Sequence, residues 1–461
     1  MIPERLQPVL ADVGPLAERF GAAGHRLYLV GGIVRDLVLG RLRPEADLDL
    51  TTDARPPETR AVLDGWADAV WSQGEAFGTV GARKGGATFE ITTHRAEAYR
   101  EDSRKPHVVY ADDVIEDLSR RDFTVNAMAL RLPDPELIDP YGGVADLAAG
   151  VLRTPLAPEV SFSDDPLRML RAARFIAGYG LEPDPALGAA VQDLRGRLDI
   201  VSAERIRDEL SKLLVVDDPS AGLWFLADTG LSDMFLPELR SMRLEQDPIH
   251  RHKDVLAHTI AVVAKASPRL VLRLAALLHD IGKPKTRSIG PGGVSFHHHE
   301  VVGARMARDR LRELRYPSEV VADVSRLVFL HLRFHGYRDD VWSDSAVRRY
   351  ARDAGPLLTD LNELTRCDCT TRNERKARML AARMDALEGR IAELREREEL
   401  DAIRPDIDGN RVMELLGVGP GRVVGEALAM LLEARLDEGP LGEEEAERRL
   451  RAWWAERPAD G

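Results

Sequence analysis

Residues Leu27 to Leu50 read LYLVGGIVRDLVLGRLRPEADLDL. An apolar run, Leu27 to Val30, meets a glycine pair, Gly31 and Gly32, and then Arg35-Asp36 within an apolar stretch of helical spacing. The pattern predicts strand, tight turn and helix. A second short strand carries Asp47 and Asp49 at i and i+2, and alternation along a strand puts both carboxylates on one face. Two carboxylates held so close repel unless a cation lies between them, an arrangement that can hold a divalent metal against a phosphate. The glycines let backbone N–H groups approach an anionic triphosphate, and Arg35 offers a planar donor for phosphate oxygens. A lone DxD is most often an exposed turn, and a lone GG after a strand an ordinary one. Their meaning lies in the order, GGxVRD and then DxD.

Composition sets the bounds. With 461 residues and 44% hydrophobic content the chain can bury several cores, and its length suggests about three domains. The net charge of −13 and pI near 5.5 argue against a protein that coats nucleic acid indiscriminately, so any RNA contact must be local. Cys367 and Cys369 are the only cysteines, which excludes a disulfide framework and a cysteine metal cage. The first residues, MIPERLQPVL, lack a basic stretch followed by an apolar core. The most apolar window, Leu270 to Leu278, is short and interrupted by Arg273, so no membrane segment and a cytoplasmic location are expected.

Outward from the opening stretch, residues 1–24 carry apolar side chains at helical spacing, and Gly14-Pro15 is expected to break them into two short helices. Val70 to Val80 contains GEAFGTV, and TFEITT (Thr88 to Thr93) alternates as a strand, giving a small mixed sheet with helices. Glu90 is either a sheet-face charge or a third metal ligand beside Asp47 and Asp49. His94 to His107, HRAEAYREDSRKPH, has almost nothing to bury and reads as a solvated loop. RRDFTVNAMA (Arg120 to Ala129) follows a helix predicted over Val114 to Leu118 and leads into a strand. That makes Arg121 a candidate phosphate contact and Asn126 a neutral donor able to orient a ribose.

These motifs together resemble the head of the nucleotidyltransferase superfamily, and specifically the bacterial class II tRNA nucleotidyltransferase and poly(A) polymerase family, of which RRDFTVNAMA looks like a long signature. In that family a flexible loop placed like His94 to His107 helps the site change between adding C and adding A. Arg104 and Lys105 fit its basic character, whereas His107 stands where relatives often have an acidic residue.

Residues 155 to 240 read as helices throughout. In DDPLRMLRAARF, Pro166 opens a helix with Asp165 in its cap position, and Arg168, Arg171 and Arg174 follow at intervals of three. Asp165 reads plainly as an N-cap, but Arg168 lies in the first turn, where the helix dipole disfavours a cation. The resemblance implies a use for both: Asp165 and Arg168 act as an amino-acid template for the base edge of CTP or ATP, and Arg171 and Arg174 help hold the nucleotide. Glu204 and Arg205, in SAERIRDELSKLL, read as polar packing residues.

A second constellation follows. His258, His279-Asp280, His297-His298-His299, His331, His335 and Asp368 gather most of the chain's 12 histidines. The order H…HD…H…H…D resembles the HD metal-dependent phosphohydrolase domain, whose imidazoles and carboxylates hold one or two divalent ions. His258, His279, Asp280 and Asp368 are the first choice of ligands and His299 and His331 the second, while His297 and His298 read as surface residues. Activity and a merely RNA-binding body are equally open here. Beyond residue 370, Leu380, Met384, Leu387, Ile391 and Leu394 form a heptad stripe on a charged helix, followed by a helix, a glycine-rich turn and another helix.

The expected fold is an α+β nucleotidyltransferase head with a small mixed β-sheet, followed by an all-α neck, HD-type body and tail. The boundaries are 1–154 for the head, 155–245 for the neck, 246–372 for the body and 373–461 for a tRNA-binding tail. The resemblance implies a template-independent CCA tRNA nucleotidyltransferase using CTP, ATP and tRNA, with Mg2+ on Asp47 and Asp49 and a second divalent metal in the HD site. Its rivals are a poly(A) polymerase, a CC-adding enzyme and a protein that is mainly an HD-domain RNA phosphohydrolase.

Overall fold

A computed structural model of the chain describes residues 7–41, 47–72, 75, 78–98, 107–244, 254–290, 293–336, 342–370, 373–398 and 403–457, with the side chains of 96–98 and 107–109 left aside. Two compact units result, Met1–Arg240 and Ser241–Gly461. Among the described residues no helix is long and apolar enough to cross a membrane.

The first unit is built on the strands β1 (Leu27–Val30), β2 (Leu48–Thr52), β3 (Ala69–Trp71), β4 (Thr79–Lys84), β5 (Ala87–Thr93), β6 (Arg95–Ala98), β7 (His107–Tyr110), β8 (Ala129–Leu132) and β9 (Glu136–Ile138). Seven of them form one sheet in the order β3-β4-β5-β2-β1-β8-β9, in which only β2 and β5 run parallel. Alternation sorts its faces. Leu29, Leu48, Leu50, Phe89, Ile91 and Leu130 pack under the helices Gln7–Ala22, Gly32–Leu39 and Pro56–Leu63, while Tyr28, Val30 and Ala129 meet Val114 and Leu118 on the other side. Burying each large aliphatic side chain stabilises the fold by roughly 1.5–3 kcal/mol.

Two expectations are corrected here. Gln7–Ala22 is one helix with Pro15 inside it, not two. Pro15 and Ala11 are both exposed, so the carbonyl that proline leaves unpaired can meet water while Val9, Val13, Leu16 and Phe20 stay buried. The polar segment after His94 is also not wholly loop, because β6 and β7 pair antiparallel from Arg95↔Tyr110 to Ala98↔His107. Its centre, including Arg104 and Lys105, lies outside the described residues, as do parts of the GEAFGTV stretch.

The rest of the first unit is helical apart from a two-residue parallel pair, Val151–Leu152 with Glu182–Pro183. The Leu167–Tyr179 helix packs its Leu170, Ala173 and Ile176 face into the helices Ala203–Leu214 and Ser220–Thr229, and Gly180 ends it in the left-handed conformation.

The second unit is helical except for a hairpin, Arg287–Gly290 with Gly293–Phe296, which the all-α expectation missed. That hairpin returns the chain to the helix His299–Glu313, which packs on Ser318–Leu330, and Ser318–Leu330 packs in turn on Leu270–Leu278. The heptad stripe of Met384, Leu387, Ile391 and Leu394 is buried on the helix Glu374–Glu398. Ile407, Val412, Ala427, Leu431, Ala446 and Leu450 make a small core of their own after it.

Candidate active site and metal centre

β2 opens at Leu48, so Asp47 stands just before the strand and Asp49 within it. Asp49 is paired in register with Glu90 on β5, and both point away from the buried leucines into an open cleft. Asp47, Asp49 and Glu90 make no ion pair or hydrogen bond with the described residues. The Asp49 carboxyl is raised above its ordinary range because the cleft walls strip away hydration, and Glu90 and Asp47 add repulsion that Arg121 opposes. Uncompensated carboxylates on one strand face fit a divalent cation.

The cleft has a volume of about 350 Å3, and its walls include Asp49 and Glu90 on one side and Asp165, Arg168, Arg171 and Arg205 on the other. Gly31 follows Val30 on the cleft wall and packs against Arg121. Its φ of +73° suits glycine, and a Cβ there would lie 2.9 Å from an Arg121 guanidinium nitrogen. Arg121 donates to Asp117 at 3.1 Å, and Asp117 also accepts the Arg95 backbone N–H at 3.2 Å. Asp117 is buried, which alone would raise its pKa, but Arg121 and Arg120 hold it below the ordinary range.

Arg35 and Asn126 lie behind this wall rather than on it. Arg35 is only 7% exposed, donates to Asn126 Oδ1 at 2.6 Å and to Asp36 at 2.9 Å, and stacks 4.2 Å over the Tyr179 ring. Its guanidinium also limits Gly32, where a Cβ would come within 3.3 Å of it. The donors expected to meet phosphate and ribose are thus engaged inside the protein. Asn126 passes the link to Asp122, whose other oxygen takes the Arg171 guanidinium. Burial pushes Asp122 up, yet Arg171 and Asn126 together hold it down at about 2. Arg174 donates to the buried Glu209 at 2.8 Å.

Asp165 serves two partners. Oδ1 accepts the Leu167 N–H at 3.2 Å, the expected cap, and Oδ2 accepts from Arg205 at 3.2 Å. Arg168 is pinned by the Ser161 hydroxyl at 2.9 Å and by the Arg120 carbonyl. Arg205 therefore belongs to the cleft and not to the packing role that its helix suggested. Asp117, Asp122, Arg95 and Glu209 were not singled out either. Asp122 stands inside the RRDFTVN motif, where a carboxylate directly after two arginines was the available signal.

In the second unit the ligand atoms of His258, His279 and Asp280 lie within 4.8 Å of one another, as do those of Asp280, His299 and His331. Asp368 closes the ring, 2.9 Å from His258 Nε2. The arrangement depends on Gly282, where a Cβ would meet the His299 carbonyl at 2.3 Å and keep the two helices apart. Backbone acceptors set the imidazoles: the Nδ1 atoms of His279, His299 and His331 donate to the carbonyls of Ala276, Phe296 and Val328 at 2.8, 2.8 and 2.6 Å. This turns each Nε2 toward Asp280, and that of His279 also toward Asp368. Burial alone would lower the His279 pKa, but Asp280 and Asp368 outweigh it and hold it at about 9, whereas burial and His279 push His331 down to about 4. The buried His331 Nε2 has no hydrogen-bond partner, and an imidazole and carboxylate set of this kind fits a divalent transition metal. His297 and His298 are exposed and outside the ring.

A carboxylate-bearing strand beside a glycine turn, faced across a cleft by an arginine-lined helix, defines a nucleotidyltransferase. Family models match in sequence: Poly A polymerase head domain over residues 27–153, Probable RNA and SrmB- binding site of polymerase A over 180–242, and HD domain over 255–394. A-adding tRNA nucleotidyltransferase of Deinococcus radiodurans is 36% identical over 445 residues, covering 93% of this chain and 95% of that protein. CCA-adding enzyme of Lacticaseibacillus paracasei is 38% identical over 226 residues, 49% of this chain and 55% of its own. The crystal structure of the Bacillus stearothermophilus CCA-adding enzyme in complex with CTP shares the fold with a TM-score of 0.70 at 24% identity, covering 99% of this chain and 98% of that one. The chain belongs to the tRNA nucleotidyltransferase family.

Proposed function

We propose that the chain is a cytoplasmic CCA tRNA nucleotidyltransferase that adds C, C and A to the tRNA 3′ end from CTP and ATP. The observation that carries this reading is a single cleft that opposes Asp49 and Glu90 to Asp165 and Arg168. Asp47 and Asp49, with Glu90 beside them, would hold Mg2+, which supplies acidification of the tRNA 3′-hydroxyl and neutralisation of the leaving pyrophosphate. Gly31 and Gly32 keep the turn open to the triphosphate, and Arg121, oriented by Asp117, faces its phosphates. Asp165 and Arg168 offer an acceptor and donors to the base edge, which suits the exocyclic amine and ring acceptors of C and A. Arg171 and Arg174 are placed by Asp122 and Glu209, and Arg35 and Asn126 brace the wall.

A narrower reading, addition of the terminal A alone, is favoured by the relative that matches over nearly its whole length and is named A-adding. The test is to incubate purified protein with tRNA lacking its CCA end, and with tRNA ending in CC, giving CTP and ATP singly and together. A three-nucleotide product on the first tRNA supports CCA addition. Extension of the second alone, by one A, supports the narrower reading.

The ring of His258, His279, Asp280, His299, His331 and Asp368 supports an additional metal-dependent phosphohydrolase activity in the body. Lys283, 2.7 Å from Asp280, adds a cation at its edge. We assign the residues 1–154, 155–245, 246–372 and 373–461 to head, neck, body and tail, with the first two forming the transferase.

A further inference from the structure

The helices His299–Glu313 and Ser318–Leu330 enclose a groove of about 800 Å3 that none of the functions above uses. Five arginines line it, Arg305, Arg308, Arg312, Arg315 and Arg326, all exposed, and no carboxylate does. Arg305, Arg308 and Arg312 step by three and four along one helix face, about 4.5 and 6 Å apart along its axis. A different face of that helix carries the buried Gly303, Ala307 and Leu311, while Ala304 forms part of the groove floor, so the arginine stripe faces out.

Several arginines elsewhere in this unit are neutralised. Arg349 pairs with Glu433 and Asp437, Arg366 with Asp385 and Glu388, and Arg390 with Asp344. Arg305, Arg308 and Arg312 make no hydrogen bond or ion pair with the described residues. Glu313, the carboxylate on their own helix end, is taken by Arg310. Arg326 is anchored by the Asp353 carbonyl at 2.7 and 2.9 Å, which fixes one positive end of the groove. Arg315 occupies a left-handed position, φ +59°, that a helix end usually gives to glycine. An arginine there extends the row at the expense of local strain.

In a chain of net charge −13, the exposed guanidiniums of Arg305, Arg308 and Arg312 form a local positive row that an anionic occupant would complement. Repeating charge along a groove matches a polyphosphate backbone, and arginine forks suit phosphate oxygens. The exposed Phe329 ring on the same groove offers a flat face on which an unstacked base can rest. We infer that this groove binds the sugar-phosphate backbone of the tRNA substrate, without reading its sequence. The inference rests on the tRNA reading proposed above.

The test replaces Arg305, Arg308 and Arg312 with glutamine in the full chain and measures tRNA binding against salt, with nucleotide addition alongside. Each phosphate that the protein no longer neutralises lowers the slope of log K against log salt by roughly 0.7–0.9, so the slope of the triple variant should be smaller by about 2. Its KM for tRNA should rise tenfold or more, with kcat and the KM for nucleotide unchanged and the melting temperature held. The arginine-to-lysine triple should restore the slope. An unaltered slope and KM in the glutamine triple would overturn the inference, as would displacement of tRNA by polyglutamate as readily as by polyuridylate of equal charge. If the wild-type chain binds tRNA with the arginine-dependent slope but adds no nucleotide, the groove stands and the transferase reading falls.

Discussion

Arg205 lies 3.2 Å from one carboxylate oxygen of Asp165 while the other oxygen caps the Leu167–Tyr179 helix. One oxygen is thus spent on the cap, and the other, held by Arg205, is the atom that the proposed base reading would use. Asp165→Asn should keep the cap, since asparagine caps about as well as aspartate, and should change stability by less than about 1 kcal/mol. Its amide nitrogen would then face the Arg205 donors or the exocyclic amine of the base. Discrimination of C from U should fall by roughly tenfold to a hundredfold, the scale of a bidentate match of ~1–3 kcal/mol. kcat/KM for all four nucleotides checks this, and an unshifted CTP-to-UTP ratio would leave Asp165 as a cap alone.

Asp47→Ala and Asp49→Ala should each abolish nucleotide addition without unfolding the chain. Neither carboxylate has a partner among the described residues, and the raised Asp49 pKa, set first by desolvation and then by Glu90 and Asp47, means that its charge is held at a cost that removal relieves. Melting temperatures equal to or above wild type are expected. Near-normal incorporation by both variants would remove the pair from the mechanism.

Changing His279 and Asp280 together to alanine should eliminate bound transition metal and any phosphohydrolase activity while CTP incorporation persists. Elemental analysis of the purified protein reads the metal independently of activity. Loss of incorporation in a still-folded double variant would contradict the separation of the two sites.

Asp122 sets a pH dependence. Its carboxyl sits at about 2 in the folded chain against an ordinary 3.8, so ionisation favours the folded state. The contribution, about 2 kcal/mol, is complete above about pH 4 and is lost as pH falls toward 2. Asp122→Asn should be less stable than wild type by that order at pH 7, and the gap should close in acid. Urea unfolding of both proteins at pH 7 and pH 3 measures it, and a gap independent of pH would refute the assignment.

The readable parts of this chain were those with a local period. The strand, glycine turn and helix from Leu27 to Leu39, the alternating Thr88 to Thr93 and the stripe from Met384 to Leu394 each state their buried face in a few residues. The HD histidines were visible as a cluster of uncommon side chains. What escaped was pairing across distance. Nothing near Arg205 announces Asp165, forty residues earlier, and the same holds for Arg171 with Asp122 and Arg174 with Glu209. Arg35 was misplaced for the same reason, because its chemistry suits phosphate while its neighbours Asn126 and Tyr179 come from remote segments.

Arg35 joins three such segments: the helix after the glycine turn, the turn at Asn126 and the aromatic end of the Leu167–Tyr179 helix. It works as a rivet through the back of the cleft, tying the helix after the glycine turn to the helix begun by Asp165. On the function proposed above, the closed side of the cleft would then be braced, and adjustment to base size would fall to side chains on the open side, such as the exposed Arg205.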